Sequence, residues 1–272
     1  MTDKKLYYAA TIMLVRDGVQ GMEVLMLERS GKSESFGGAF VFPGGKVDLG
    51  DAHQEYADIY AGHNDEEASR ILSVPQYGLA YWTGAIRECF EEAGILVAYD
   101  SDGKLLDFHD SETKARYAVH RKALNNGEKT LLDICREEKI TLATQLLNYF
   151  SHWVTPVILP RRFDTRFFIC KAPKAQEPLI DNHEAVSQCW IRPADALERS
   201  RKGSFSIFFP TIKHLQTLAT YSCSDELMAA SAQFKDIPRI LPMRKILSGD
   251  KFKILMPDDE DYDTVECLKT HY

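Results

Sequence analysis

The sequence predicts an α/β fold, and three observations carry that expectation. β-rich runs flank a helical stretch on both sides, a pattern that favours one α/β domain with a helical insertion over two separate domains. Neither internal repeats nor low-complexity linkers divide the chain. Its 272 residues, 44% apolar and 27% charged, suffice for one large domain with a sizeable core.

The elements follow in order. LYYAATIMLV (6–15) and MEVLMLE (22–28) read as a β-hairpin whose turn begins at Asp17-Gly18. SGKSESFGGAFVFPGG is too rich in Gly and Ser to be regular, apart from a short strand at AFVF. Residues 52–80 show no clean period beyond a short helix at EEASRIL. A helix spans about Tyr81 to Ala93, where Ala85, Ile86, Cys89, Phe90 and Ala93 recur at the spacing of a buried face, and Gly94 is its C-cap. ILVAYD reads as a strand, and 111–150 as helical in three pieces, the last ATQLLNYF. HWVTPVIL, RRFDTRFFICKA and VSQCWI are strands. Pro193 and Pro210 open helices, since proline is tolerated at the first helical position. SDELMAASAQF is a further helix, and RKIL and KFKILM close the chain as a strand pair before an acidic tail.

Composition excludes several classes. A net charge of −7 argues against partners held by general basic attraction, so neither nucleic acid nor an anionic membrane is expected. The six cysteines, Cys89, Cys135, Cys170, Cys189, Cys223 and Cys267, form no C-x-x-C pair and suit a reducing compartment. No secretory signal, peroxisomal S-K-L ending or span of ~20 apolar residues is evident, and the expectation is a cytoplasmic protein. His53, His63, His152 and His183 are not spaced as zinc ligands and read as surface residues, while Cys89 reads as core rather than nucleophile.

Chemistry concentrates in WTGAIRECFEEAGILV (82–97). Glu88 neighbours both Glu91 and Glu92 on a helix, and each like-charge pair costs a few tenths of a kcal/mol. The acids also sit near the C-terminus, where the dipole disfavours negative charge. Carboxylate oxygens are the ligands that Mg²⁺ and Mn²⁺ prefer, so a bound ion would turn repulsion into shared coordination. Taken alone, E-x-x-E-E equally suits a solvated acidic face.

With the upstream glycine-rich turn FPGGKVDLGD, these residues resemble the Nudix box, G-x5-E-x7-R-E-U-x-E-E-x-G-U, where U is aliphatic. Gly45 matches the first glycine, and Arg87, Glu88, Glu91, Glu92, Gly94 and Ile95 match the second half. Asp51 stands where the box has Glu, and Cys89 where it has an aliphatic residue. Asp51 and Arg87 are 36 positions apart where the box has eight, so about 28 residues are inserted. LMLERSGKSESFGGAFVFPGG is similar to the signature of coenzyme A-cleaving members at Arg29, Ser30, Gly38 and Phe42, although Leu27-Glu28 departs from it. The split box, the helical stretch after it, HWVTPVILPRRFDTRFF and SGDKFKILMPDDEDY resemble the peroxisomal-type acyl-coenzyme A diphosphatase branch of Nudix hydrolases and its bacterial relatives.

The resemblance implies one Nudix α/β/α sandwich over 1–272 with a mixed sheet, an insertion in the box (about 52–80) and a helical insertion (about 111–150). It implies Mg²⁺ or Mn²⁺ held by Glu88, Glu91 and Glu92, with Arg87 the structural partner of Asp51. Glu88, Glu92, Glu184 and Arg87 are the implied catalytic group; for Glu184, in HEAVSQCW, a further ligand or general base stands against an ordinary loop acid. Substrate binding falls to Arg29, Ser30, Gly38, Phe42, Gly44, Gly45, Arg161 and Arg162. For Arg161, Arg162 and Arg166, phosphate binding stands against edge-strand charge. The implied reaction is hydrolysis of coenzyme A or an acyl derivative to 3′,5′-ADP and (acyl-)4′-phosphopantetheine. ADP-ribose, NADH or another nucleoside diphosphate derivative, or a silent nucleotide-sensing domain, are the alternatives. The partner is a small nucleotide; a homodimer is left open. Residues 52–80 are expected to loop out at the surface, forming a pocket wall if they touch substrate.

Overall fold

The structure, a computed structural model, describes residues 5–31, 37–157, 159–180, 185–248 and 251–262. The chain opens with β1 (Leu6–Gly18), β2 (Gly21–Arg29), β3 (Phe40–Val41) and β4 (Gly44–Lys46). Two 3-10 turns, Leu49–Ala52 and Gln54–Asp58, precede α1 (Asp65–Leu72) and α2 (Leu79–Ala93). Then come β5 (Ala98–Tyr99), α3 (Ser111–Asn125), α4 (Leu131–Glu138), β6 (Thr141–Leu142), β7 (Asn148–Val154), β8 (Arg162–Lys171) and β9 (Ala185–Ile191). The C-terminal part holds α5 (Pro193–Arg201), α6 (Phe209–Leu218), α7 (Ser224–Ser231), β10 (Arg239–Ile240), β11 (Met243–Ser248) and β12 (Lys251–Leu255).

Eight strands form one mixed sheet in the order β10-β7-β8-β1-β2-β3, with β4 also on β1 and β9 also on β2. β1 runs parallel to β8 from Leu6 to Val15 and antiparallel to its other neighbours. Its side chains explain the central position. Ile12 and Leu14 enter one buried cluster with α1–α4, whereas Met13 and Val15 enter another with α5–α7. A strand apolar on both faces has to be covered on both, which gives three layers. α2 packs on β1 and β4 through Trp82, Ala85, Ile86, Cys89, Phe90 and Ala93, all buried. Each large side chain so buried contributes about 1.5–3 kcal/mol, which outweighs the few tenths lost per crowded acid pair.

Several elements differ from the sequence expectation. ATQLLNYF is not helical: Thr144–Leu146 is a 3-10 turn, and Asn148 begins β7. β7 is almost wholly buried on both faces, Ser151 and His152 included, so it carries no alternation of polar and apolar residues to mark it as a strand. Residues 52–80 do not loop out. Tyr56, Ala68, Leu72 and Leu79 belong to the main core, and the Ile59 carbonyl and Ala61 amide pair with Leu142. Lone aromatics between polar residues gave no periodic signal of that burial. β8 is an interior strand, so its arginines are not edge charges. His152 is buried rather than exposed, its Nε2 2.7 Å from Asp164 Oδ1. No described helix is long and apolar enough to cross a membrane.

Candidate active site

At its start, the loop that joins β4 to α2 is drawn onto the helix by the guanidinium of Arg87. Arg87 projects from α2 and donates from Nε to Asp51 Oδ1 at 2.8 Å and from Nη2 to Asp51 Oδ2 at 2.9 Å. Nη2 also donates to the Lys46 carbonyl at 2.8 Å, and Nη1 reaches Glu91 Oε2 at 2.7 Å and Glu88 Oε1 at 3.1 Å. Burial works against the Arg87 charge, but the hydrogen bonds and charge of Asp51, with Glu88 and Glu91, hold its pKa above the usual value. Asp51 thus returns to Arg87 despite the inserted residues. Its own carboxyl is pushed up by burial, against the opposing pull of Arg87.

The shorter Asp at this position has a steric reason. A Cβ built on Gly84 of α2 would stand only 3.1 Å from Asp51 Oδ2, so the glycine leaves the carboxyl just enough room against the helix. The 3-10 turn Leu49–Ala52 carries the backbone close enough that no extra methylene is needed.

The glycines of the loop follow from close approach. A Cβ at Gly44 would lie 2.6 Å from the Ala10 carbonyl, and one at Gly45 would lie 2.4 Å from Glu88 Oε1. Gly44 N–H donates to Glu92 Oε2 at 2.9 Å, so Glu92 is buried beneath the loop, whereas Glu88 and Glu91 face the cavity. Burial pushes the Glu88 carboxyl up to about 8, partly opposed by Arg87 and reinforced by Glu91. Burial likewise raises Glu91.

Why the helix tolerates acids at this end is visible in α3. Arg121 donates from Nε and Nη2 to the Glu91 carbonyl at 3.0 and 2.8 Å, and Asn125 adds a longer bond at 3.3 Å. A cation on the last carbonyls offsets the unfavourable dipole. Gly94 closes the helix in the left-handed region, φ 70°, its N–H donating to the Phe90 carbonyl. Arg121 carries no motif and was not legible in the sequence.

One cavity of about 1080 Å³ joins this cluster to the rest of the site. Its floor is formed by Ala9 and Thr11 of β1, Thr165 and Phe167 of β8 and Trp153 of β7. Arg29, Ser30, Phe42, Gly44, Gly45 and Arg161 all line it. Arg29 Nε is buried without a hydrogen-bond partner among the described residues, a donor suited to an anionic guest. Arg161 lies over the Tyr7 and Phe163 rings. Alternation along β8 separates the arginines: Phe163, Thr165 and Phe167 face the cavity, while Arg162, Asp164 and Arg166 do not line it. Arg162 donates to the Thr155 carbonyl, and Arg166 is buried against Asp164. Gly38 does not line the cavity either; its N–H donates to the Arg29 carbonyl within a turn. Glu184 lies outside the described residues. Residues 52–80 contribute nothing to the cavity wall.

The donor set suits a hard divalent ion in chemistry: oxygen only, and more carboxylates than Arg87 can balance. In the described arrangement Glu88 and Glu91 converge on Arg87, and no group of three or more His, Cys, Asp or Glu among the described residues forms a metal cluster.

The fold together with a glycine loop pinned to an Arg-Glu-x-x-Glu-Glu helix defines a Nudix hydrolase. The family model of the NUDT19 Nudix domain matches residues 65–218, more than half of the sequence, and the chain belongs to that family. It is 28% identical over 235 residues to acyl-coenzyme A diphosphatase NUDT19 of Xenopus laevis, covering 75% of this chain and 62% of that one. The human protein of the same name is 25% identical, with 89% and 73% covered. Among solved structures, a Nudix hydrolase from Alicyclobacillus acidocaldarius superposes with a TM-score of 0.66 at 27% identity, covering 83% of this chain and 96% of that one.

Proposed function

We propose that this chain is a divalent metal-dependent diphosphatase that hydrolyses coenzyme A or acyl-coenzyme A to 3′,5′-ADP and (acyl-)4′-phosphopantetheine. The supporting observation is that one cavity joins the acids of α2 to cationic side chains and to a long apolar wall. Coenzyme A has the same three characters: a diphosphate, a phosphorylated nucleoside and a largely uncharged arm. The names of the Xenopus and human relatives support the same reading.

Glu88 and Glu91, with Glu92 behind them, are the residues to hold Mg²⁺ or Mn²⁺. Bound there, the ion would supply Lewis acidity toward the diphosphate. The remaining work belongs to the chain. Arg87 fixes the angle of Glu88 and Glu91 and ties the loop to the helix through Asp51. Gly44 and Gly45 let the loop backbone lie between β1 and the acids: a side chain at Gly44 would meet the Ala10 carbonyl and Thr11, and one at Gly45 would displace Glu88. Arg29 and Arg161 bind phosphate, and Ser30 and Phe42 complete that side of the cavity. Glu184 is the candidate general base.

The test is a hydrolysis screen of coenzyme A, acyl-coenzyme A, ADP-ribose and NADH with Mg²⁺ and with Mn²⁺, the products identified by mass. Release of 3′,5′-ADP is expected. Faster cleavage of ADP-ribose or NADH would move the chain to another diphosphatase class, and absence of turnover on all four would make it a ligand sensor.

A further inference from the structure

The cavity continues well past the acids, and its far wall does not belong to the sheet. β10, the edge strand beside β7, leads through Leu241 and Pro242 into the β11–β12 hairpin, a separate two-stranded sheet. Met243 and Leu255 anchor the hairpin in a small cluster with Val157 and Tyr262, and Tyr262 donates its hydroxyl to the Leu241 carbonyl. Phe252 and Ile254 are left on the cavity side. Phe252 remains 49% exposed, although Arg244 lies over its ring at 4.1 Å. An apolar ring exposed inside a binding cavity has surface still to bury against a ligand.

Topology fixes where this surface stands relative to the chemistry. From β4, which faces Glu88, the sheet runs through β1 and β8 to β7. Three strand spacings make about 14 Å. Across that interval the floor changes from loop backbone and acids to Thr165, Phe163 and Trp153. A ligand whose diphosphate sits at the acids and whose uncharged arm crosses the strands therefore ends against Phe252, Ile254 and Met243.

We infer that the β11–β12 hairpin is the acyl-chain subsite of this enzyme, and that it sets which thioesters of coenzyme A are preferred. The inference rests on the proposed coenzyme A reading.

The test compares kcat/KM for coenzyme A, acetyl-, hexanoyl- and dodecanoyl-coenzyme A in the full chain and in Phe252→Ala and Ile254→Phe. Phe252→Ala should lower the dodecanoyl-to-coenzyme A ratio of kcat/KM by about tenfold or more, the scale expected from losing one aromatic contact with an alkyl chain. Ile254→Phe, which narrows the wall without removing apolar surface, should shift the preference toward shorter chains. If both variants change all four substrates by the same factor, the hairpin is not the acyl subsite. Lack of turnover on coenzyme A and all its thioesters by the unaltered chain would instead sink the reading on which the inference rests.

Discussion

Replacing Asp51 by Ala should cost about 3 kcal/mol of stability. Both partners are buried, Asp51 2% and Arg87 8% exposed, and they share two charge-assisted hydrogen bonds at 2.8 and 2.9 Å. Removing one member of a buried ion pair costs about 3–5 kcal/mol when the other is left uncompensated. Arg87 would not be left so, because Glu88, Glu91 and the Lys46 carbonyl remain in reach. That places the expectation at the low end of the range. That figure includes the bond from Asp48 N–H to Asp51 Oδ2 at 2.8 Å, itself worth about 1 kcal/mol. Urea unfolding should show a lower midpoint at constant slope, and the melting temperature should fall by roughly 6–12 °C at ~2–4 °C per kcal/mol. A double-mutant cycle with Arg87→Met isolates the pair. A loss below about 1 kcal/mol for Asp51→Ala would refute the claim that this pair holds the loop on the helix.

Glu92→Gln should lower kcat by about two to four orders of magnitude, the scale of losing one key electrostatic group. The amide oxygen can still accept from Gly44 N–H, so an unchanged melting curve accompanied by near-normal turnover would remove Glu92 from the metal site. Replacing residues 54–78 with a Gly/Ser linker should abolish folding, because Tyr56, Ala68 and Leu72 are core; a shortened chain with cooperative unfolding and native circular dichroism would contradict this. Coenzyme A should exceed 3′-dephospho-coenzyme A in kcat/KM by at least about tenfold, ~1.4 kcal/mol. Arg161→Ala or Arg29→Ala should shrink that ratio, whereas Arg162→Ala should not, since Arg162 does not line the cavity; the opposite order would reverse the β8 assignment. Burial holds His214 down to about 3, with Ser151 Oγ 2.6 Å from its Nε2. Below pH ~6.5 the unfolded chain takes up a proton at His214 that the folded one refuses, so His214 contributes a loss of stability on acidification, about 1.4 kcal/mol at pH 5.5. His152, also held down by burial, adds a loss of the same sign, and the raised Glu88 carboxyl a gain, so the His214 part is read as the difference in the pH 7.5-to-5.5 change of urea stability between the unaltered chain and His214→Asn; equal changes in the two would place the titration elsewhere.

The sequence by itself determined the local chemistry. The α2 helix, its acids, its glycine cap and the glycine turn were all legible, because each is set by spacing within one segment. The α/β/α layering was implied by the Nudix resemblance, and the structure supplies its reason: β1 is apolar at every position from Ile12 to Val15 and is covered on both faces. Position across segments was decided only by tertiary structure. Arg161, just before β8, lines the cavity, while Arg162 at the start of the strand does not, a one-residue difference that no composition reveals. Packing put Tyr56 and Leu72 of the inserted segment into the core, and it set Arg121 on the end of α2. The Glu92 carboxylate, read as one of three equal acids, was placed under the loop by the Gly44 N–H. These outcomes depend on which buried donors, acceptors and apolar faces meet once distant segments pack, and a linear pattern records the groups without recording their partners.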